Sequence, residues 1–162
     1  MRRPPPNASV VTQDQGAKLV APAASRNADA IVEMVAAHAP TRGRAREIAS
    51  GTGQHITALA LALPGLDWQP SEIDPERRAS IDAYVAEAEL RNLAPAIALN
   101  ATKPGWAQAQ SGFDLILLVN LLHLISGKEA EILVAESAGA LVPGGRAIFY
   151  GPFMRDGVLT SP

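Results

Sequence analysis

With 162 residues, 48% of them hydrophobic, the chain has the length and apolar content of one globular domain with a sizeable core. A net charge of −2 offers no broad attraction for a nucleic-acid backbone, and the lack of cysteine removes disulfides, thiolate nucleophiles and cysteine-based zinc sites together. The longest charge-free apolar run, 115–125, carries Asn120 and His123 and falls short of the roughly 20 residues a membrane helix needs, so no membrane partner is expected.

The amino terminus opens Met1-Arg2-Arg3 and then breaks into Pro4-Pro5-Pro6, without the apolar block of a secretory signal. Residues 1–20 read as a mobile arm and 21–162 as the folded unit; with no cysteine and no leader, a cytoplasmic setting is expected. From Ala28 to His38, Ile31, Met34 and Val35 fall on one face at helical spacing, with Asn27 as N-cap and Pro40 as stop. Arg44–Ala49 reads as a short strand. It runs into Ser50-Gly51-Thr52-Gly53, a turn whose glycines permit positive φ and close approach of a ligand to the main chain, and then into an apolar helix over Thr57–Leu63.

Leu66–Glu72 is the second strand, and its terminal carboxylate stands where nucleoside-binding α/β domains grip ribose hydroxyls. Asp74-Pro75 starts a helix, with Ile81, Tyr84, Val85 and Ala88 on its buried face. Pro95–Asn100 is a weaker third strand and 101–112 a loop containing Trp106. Phe113-Asp114 opens the strongest strand, Leu115–Val119, whose unbroken apolar run suits burial on both faces. A helix over Lys128–Ala140 ends at Val142-Pro143-Gly144-Gly145, a sharp turn into the strand Arg146–Tyr150. Alternation of this kind predicts a parallel sheet with helices on both faces and a ligand crevice at the strands' carboxyl ends. Ser50, Glu72, Asn100, Asn120 and Tyr150 all sit at such ends.

The glycine turn, Phe113-Asp114-Leu115 and Leu141-Val142-Pro143-Gly144-Gly145 together resemble the class I S-adenosylmethionine-dependent methyltransferases over residues 23–162. Narrower motifs, Ser25-Arg26-Asn27-Ala28-Asp29, the segment Glu47 to His55, Leu63-Pro64, Trp68 to Asp74 and Tyr150-Gly151-Pro152-Phe153, look like the DUF938 family of methyltransferase-like proteins, which includes methyltransferase-like protein 26. The resemblance implies a Rossmann-like α/β fold with a mostly parallel sheet of order 3-2-1-4-5, lacking the family's final helix and antiparallel strand pair and so C-terminally truncated. It further implies S-adenosylmethionine as cofactor. Glu47 and the backbone at Ala49, Ser50, Gly51 and Gly53 would face its methionine part, Glu72 its ribose, Asn100 its adenine and Asn120 its sulfonium end. Ala49 stands where the first motif usually has glycine, Glu72 where Asp is more frequent, and Asn100 where Asp is common. Ala45-Arg46 replaces an apolar pair, so Arg46 needs an exposed strand end or an acidic partner.

Methyl transfer asks mainly for alignment, exclusion of water and sometimes proton removal; His55 and His123 are the candidate bases. Each has a plainer role as a loop hydrogen-bonding residue. The segment Asn120-Leu121-Leu122-His123 lacks the prolines of base N-methyltransferases, which favours a small-molecule acceptor over a nucleic acid. A nicotinamide oxidoreductase would need glycine where Ile56 stands, and the three scattered histidines give no metal site. The rival from another class is a non-catalytic binding or interaction module that keeps the pocket or the scaffold, with self-association through an uncovered sheet edge at the Tyr150 strand.

Overall fold

A computed structural model describes residues 11–13, 16–155 and 158–159. Five parallel strands form its centre: β3 (Gly43–Ile48), β4 (Leu66–Glu72), β5 (Ile97–Ala98), β6 (Phe113–Val119) and β7 (Leu141–Tyr150), in the spatial order β5-β4-β3-β6-β7. Numbered among themselves, these strands follow the expected order 3-2-1-4-5. The order reverses between β3 and β6, the point at which open α/β sheets leave a crevice.

Helices α1 (Pro22–His38), α2 (Gln54–Ala62) and α3 (Pro75–Ala88) cover one face. Ile31 and Val35 of α1, Ile56 and Leu59 of α2 and Ile81 of α3 bury against Ala45, Trp68, Leu115 and Leu117. The other face is covered by the short α4 (Trp106–Ala109) and by α5 (Gly127–Ala140), which pack Trp106 and Leu133 on Ile48, Ile116 and Leu118. Because β6 is central and residues of both parities find a helix layer, its run from Leu115 to Leu118 is wholly buried, as its composition predicts.

Several local readings hold. Asp74 caps α3, its Oδ1 accepting the N–H groups of Glu76 and Arg77 at 2.8 and 3.1 Å, with Pro75 in the first turn. The expected turn at 142–145 lies inside β7 as a register irregularity, with Phe113 opposite Leu141 and Leu115 already opposite Arg146.

Four expectations are corrected. Helix α1 starts at Pro22, with Ala21 in the N-cap position, so Asn27 lies inside the helix and caps nothing; a proline at the first helical position starts the helix earlier than the apolar periodicity shows. The arm expected to reach residue 20 is tied down near its end: β1 (Thr12–Gln13) pairs antiparallel with β2 (Leu19–Val20), and Leu19 is buried against α3. The start of that arm, 1–10, lies outside the described residues. The third strand shrinks to Ile97–Ala98 after Pro95, which has no N–H to give a ladder.

Arg46, finally, has neither an exposed end nor, among the described residues, an acidic partner. It is 3% exposed in the central strand, its guanidinium 4.3 Å from the Phe113 ring centre and bonded to Gln110 Oε1, with Nε unpartnered. Burial, aided by Arg44, lowers its pKa to about 10, so it is still charged at neutral pH. Beyond β7, Met154–Arg155 (β8) pairs antiparallel with Val158–Leu159 (β9), outside the main sheet.

Candidate functional site

Backbone conformation builds the site first. Leaving β3, the chain is left-handed at every second residue: φ is 54° at Ala49, 60° at Gly51 and 100° at Gly53, the residue that precedes α2. Glycine tolerates this conformation and alanine resists it. Gly53 is also required by packing, since a Cβ there would lie 3.0 Å from the Cα of Ile81 and 3.2 Å from the Tyr84 ring. Two buried serines hold the turn to the next strand. Ser50 N–H donates to the Ser71 carbonyl at 3.0 Å, and the Ser71 hydroxyl donates to the Glu47 carbonyl at 2.8 Å.

Glu72, at the end of β4, reaches back across this turn. Its Oε2 accepts the Gly51 N–H at 3.1 Å, while Oε1 accepts the N–H groups of Ile73 at 2.8 Å and Asp74 at 3.1 Å. One carboxylate thus joins the loop after β3 to the loop after β4. Ile73 beside it is 46% exposed, an apolar side chain in the open at the strand end. Arg78 Nη1 fixes the same end by donating to the carbonyls of Glu72 and Ile73 at 2.9 and 2.7 Å.

Glu47 lies below the turn, 1% exposed, with Oε2 unpartnered. Burial pushes its carboxyl up to about 8; Ser50 opposes the shift through a hydrogen bond and the Glu72 charge adds to it. A carboxyl with that environment is protonated at neutral pH.

Asn100 and Asn120 follow β5 and β6, so the topology brings both to the carboxyl edge that carries Glu47 and Glu72. The Asn100 Oδ1 is engaged locally by Thr102 N–H at 3.2 Å and the Thr102 hydroxyl at 2.8 Å. Asn120 has φ 55°, its N–H donates to the Tyr150 carbonyl at 2.8 Å, and a Cβ on Gly151 would stand 3.8 Å from its Oδ1. His123 is exposed in the 3-10 turn Leu122–Leu124. His55 is instead half-buried, its Nε2 2.9 Å from the Asn27 side chain. With Nδ2 turned inward, that amide also donates to the carbonyls of Ala23 and Ala24 at 2.8 and 3.0 Å, the orientation its neighbours favour. Burial lowers the His55 pKa, partly offset by the Ala24 carbonyl, so the ring is neutral at pH 7.

Residue-by-residue reading missed how α1 is fastened over this site. Gln54 Oε1 accepts the Ala21 N–H at 2.7 Å and the Thr52 hydroxyl at 2.9 Å, while its Nε2 donates to the Ser25 hydroxyl at 2.7 Å. Ser80 of α3 ties β2 to the turn, accepting the Leu19 N–H at 2.8 Å and donating to the Thr52 carbonyl at 2.7 Å. The available signal was the pairing of two motifs, Ser25 to Asp29 and Glu47 to His55, which the fold brings into contact. A separate cavity of about 280 Å³, lined by Arg44, Asp67, Gln69, Arg91 and Phe113 among others, opens toward the amino ends of β3 and β4, the wrong end for the crevice. Among the described residues no cluster of three or more His, Asp or Glu could hold a metal, and no helix is long and apolar enough to cross a membrane.

Comparison with known proteins gives one family match and many similar folds. Residues 18–162 match the family described as "Protein of unknown function (DUF938)". An O-methyltransferase family protein from Burkholderia thailandensis is 20% identical with a TM-score of 0.70, over 83% of this chain and 40% of that one. The S-adenosylmethionine-dependent methyltransferase SibL is also 20% identical, with a TM-score of 0.72, over 86% of this chain and 39% of its own. The glycopeptide N-methyltransferase MtfA, solved with S-adenosyl-L-methionine, is 15% identical with a TM-score of 0.65, over 76% of this chain and 53% of that one. The chain thus spans about two-fifths of the first two structures, and at such identities the likeness establishes a shared Rossmann-like fold.

Proposed function

We propose that this chain, which belongs to the DUF938 family, binds S-adenosylmethionine at the crevice beside β3 and serves transfer of its methyl group to a small-molecule acceptor. The observation that carries the reading is the turn at 49–53, left-handed at alternate residues and flanked by two buried carboxyl groups, Glu47 and Glu72. It is supported by the methyltransferases that share the fold.

The residues present fit the cofactor. A carboxylate offers about four acceptor positions, and Glu72 spends three on backbone N–H groups, which leaves one on Oε2 for a ribose hydroxyl. Ile73 gives the adenine an apolar face, and Asn100 a polar edge. Glu47 and the backbone of Ala49, Ser50, Gly51 and Gly53 face the methionine part, with Asn120 at its reactive end.

When bound, the sulfonium supplies an already activated methyl group. The protein's share is to align the acceptor, exclude water and, where the acceptor carries a proton, receive it. His123, exposed on the turn after Asn120, is the better placed of the two candidate bases. His55 is held by Asn27 and acts as a tie between α1 and α2. That tie is also the observation favouring a second reading, a binding module without turnover, because it leaves one exposed histidine at this edge.

Calorimetric titration with S-adenosylmethionine, its demethylated product S-adenosylhomocysteine and NAD tests the reading. Binding of the first two and not NAD is expected; binding of NAD alone, or of none, rejects it. We further read the setting as cytoplasmic; the side of β7 that no described strand pairs with we read as a site of self-association, and sedimentation at several concentrations checks that association.

A further inference from the structure

Among the described residues, Glu47 is a buried carboxyl without a charge partner. Its Oε2 has no hydrogen bond there, and the charge that acts on it, that of Glu72, has its own sign. Neighbouring strands oppose it with Pro70 and Leu117. The charged residues of α1, Arg26, Asp29 and Glu33, are exposed, and α1 gives the core Ile31 and Val35. From α2 the titratable group is His55, its pKa lowered by burial; from α3 they are Arg77, whose Nη1 lies 3.9 Å from where a Cβ on Gly51 would stand, and Arg78, engaged by the carbonyls of Glu72 and Ile73. A carboxyl left so in a packed interior costs stability when ionised, and a structural role would have been served by glutamine.

We propose that Glu47 senses ligand charge: it is neutral in the empty site, ionises when a net cation occupies the turn, and so makes the site prefer the sulfonium methyl donor to its uncharged demethylated product. The inference rests on S-adenosylmethionine being the ligand. Both forms carry an amino and a carboxylate group of opposite charge in their methionine part, so the sulfonium is the net charge that separates them. Binding then follows protonated Glu47 plus cation going to ionised Glu47 with bound cation, plus one proton released to solvent. After the methyl leaves, the ligand is neutral, the Glu47 carboxylate is unbalanced, and it takes a proton back from solvent. Product is thereby held less tightly than donor.

The measurable sign follows from linkage. Affinity for the donor rises with pH, by at most about tenfold per unit, until the carboxyl is ionised in the free protein as well; affinity for the product stays flat. Titration calorimetry of the unaltered protein at pH 7, in buffers of different ionisation enthalpy, should show close to one proton released per S-adenosylmethionine and almost none per S-adenosylhomocysteine. Glu47→Gln, which copies the neutral carboxyl in shape, should abolish the release, flatten the pH dependence and lower the preference for donor over product by about tenfold. Donor binding without proton release, or equal release with both ligands, overturns the inference and leaves the cofactor reading standing. Binding of neither overturns both.

Discussion

Ala49 shows at one position what the turn demands of sequence. A β-carbon in the left-handed region costs about 1–2 kcal/mol, and glycine gives back roughly 0.5–1 kcal/mol of that through chain entropy. Ala49→Gly should therefore stabilise the fold by about 0.5–1 kcal/mol, measured as a higher urea midpoint at unchanged slope. Glu47 makes a pH prediction with a definite sign. Its folded pKa, about 8, stands above the ordinary 4.5, so the native form holds more protons than the unfolded chain between those values. The contribution of this group to stability is greatest below the ordinary carboxyl range and falls as pH rises through about 8; Glu47→Gln should remove that part of the slope in urea titrations from pH 5 to 9. Arg46 is a third case. Buried without an acid, it should be replaceable by methionine with a gain of about 1 kcal/mol, and a marked loss would show that its Gln110 bond outweighs its desolvation. From sequence the arginine in a strand stood out as anomalous, but Phe113 and Gln110, which accommodate it, are distant in the chain and share no pattern with it.

At the scale of elements, local chemistry was readable wherever a short-range rule decides. Asp74-Pro75 gave the start of α3, the proline and glycines at 143–145 the break before Arg146, and the unbroken apolar run the central place of β6. Elsewhere the reading shifted: α1 begins at Pro22, with Ala21 before it held by Gln54, and β5 keeps two residues after Pro95. Gln54 was quoted in a motif, yet its three contacts, to Ala21, Thr52 and Ser25, depend on how α1 lies over α2. Gln54→Ala should loosen that fastening, costing about 1–2 kcal/mol of stability and weakening S-adenosylmethionine binding in the same calorimetric assay. An unchanged affinity would mean that α1 does not shape the ligand site.

For the whole molecule, sheet order was legible because strands and helices alternate, and it gathers Glu47, Glu72, Asn100 and Asn120 from four separate segments to one edge. What the side chains do there was not legible: that Glu72 folds back on the main chain depends on the longer arm and on where two loops meet. Added S-adenosylmethionine should shift amide resonances at 49–55, 72–75 and 99–102 and leave those lining the cavity at Arg91 unmoved, a map that would place the ligand at the other end if the topology argument fails. The single carboxylate that collects peptide hydrogens from two loops also binds their opening together. Deuterium should enter Gly51, Ile73 and Asp74 at one common pace, and a nucleoside settling on Oε2 of the same carboxylate should slow all three in step.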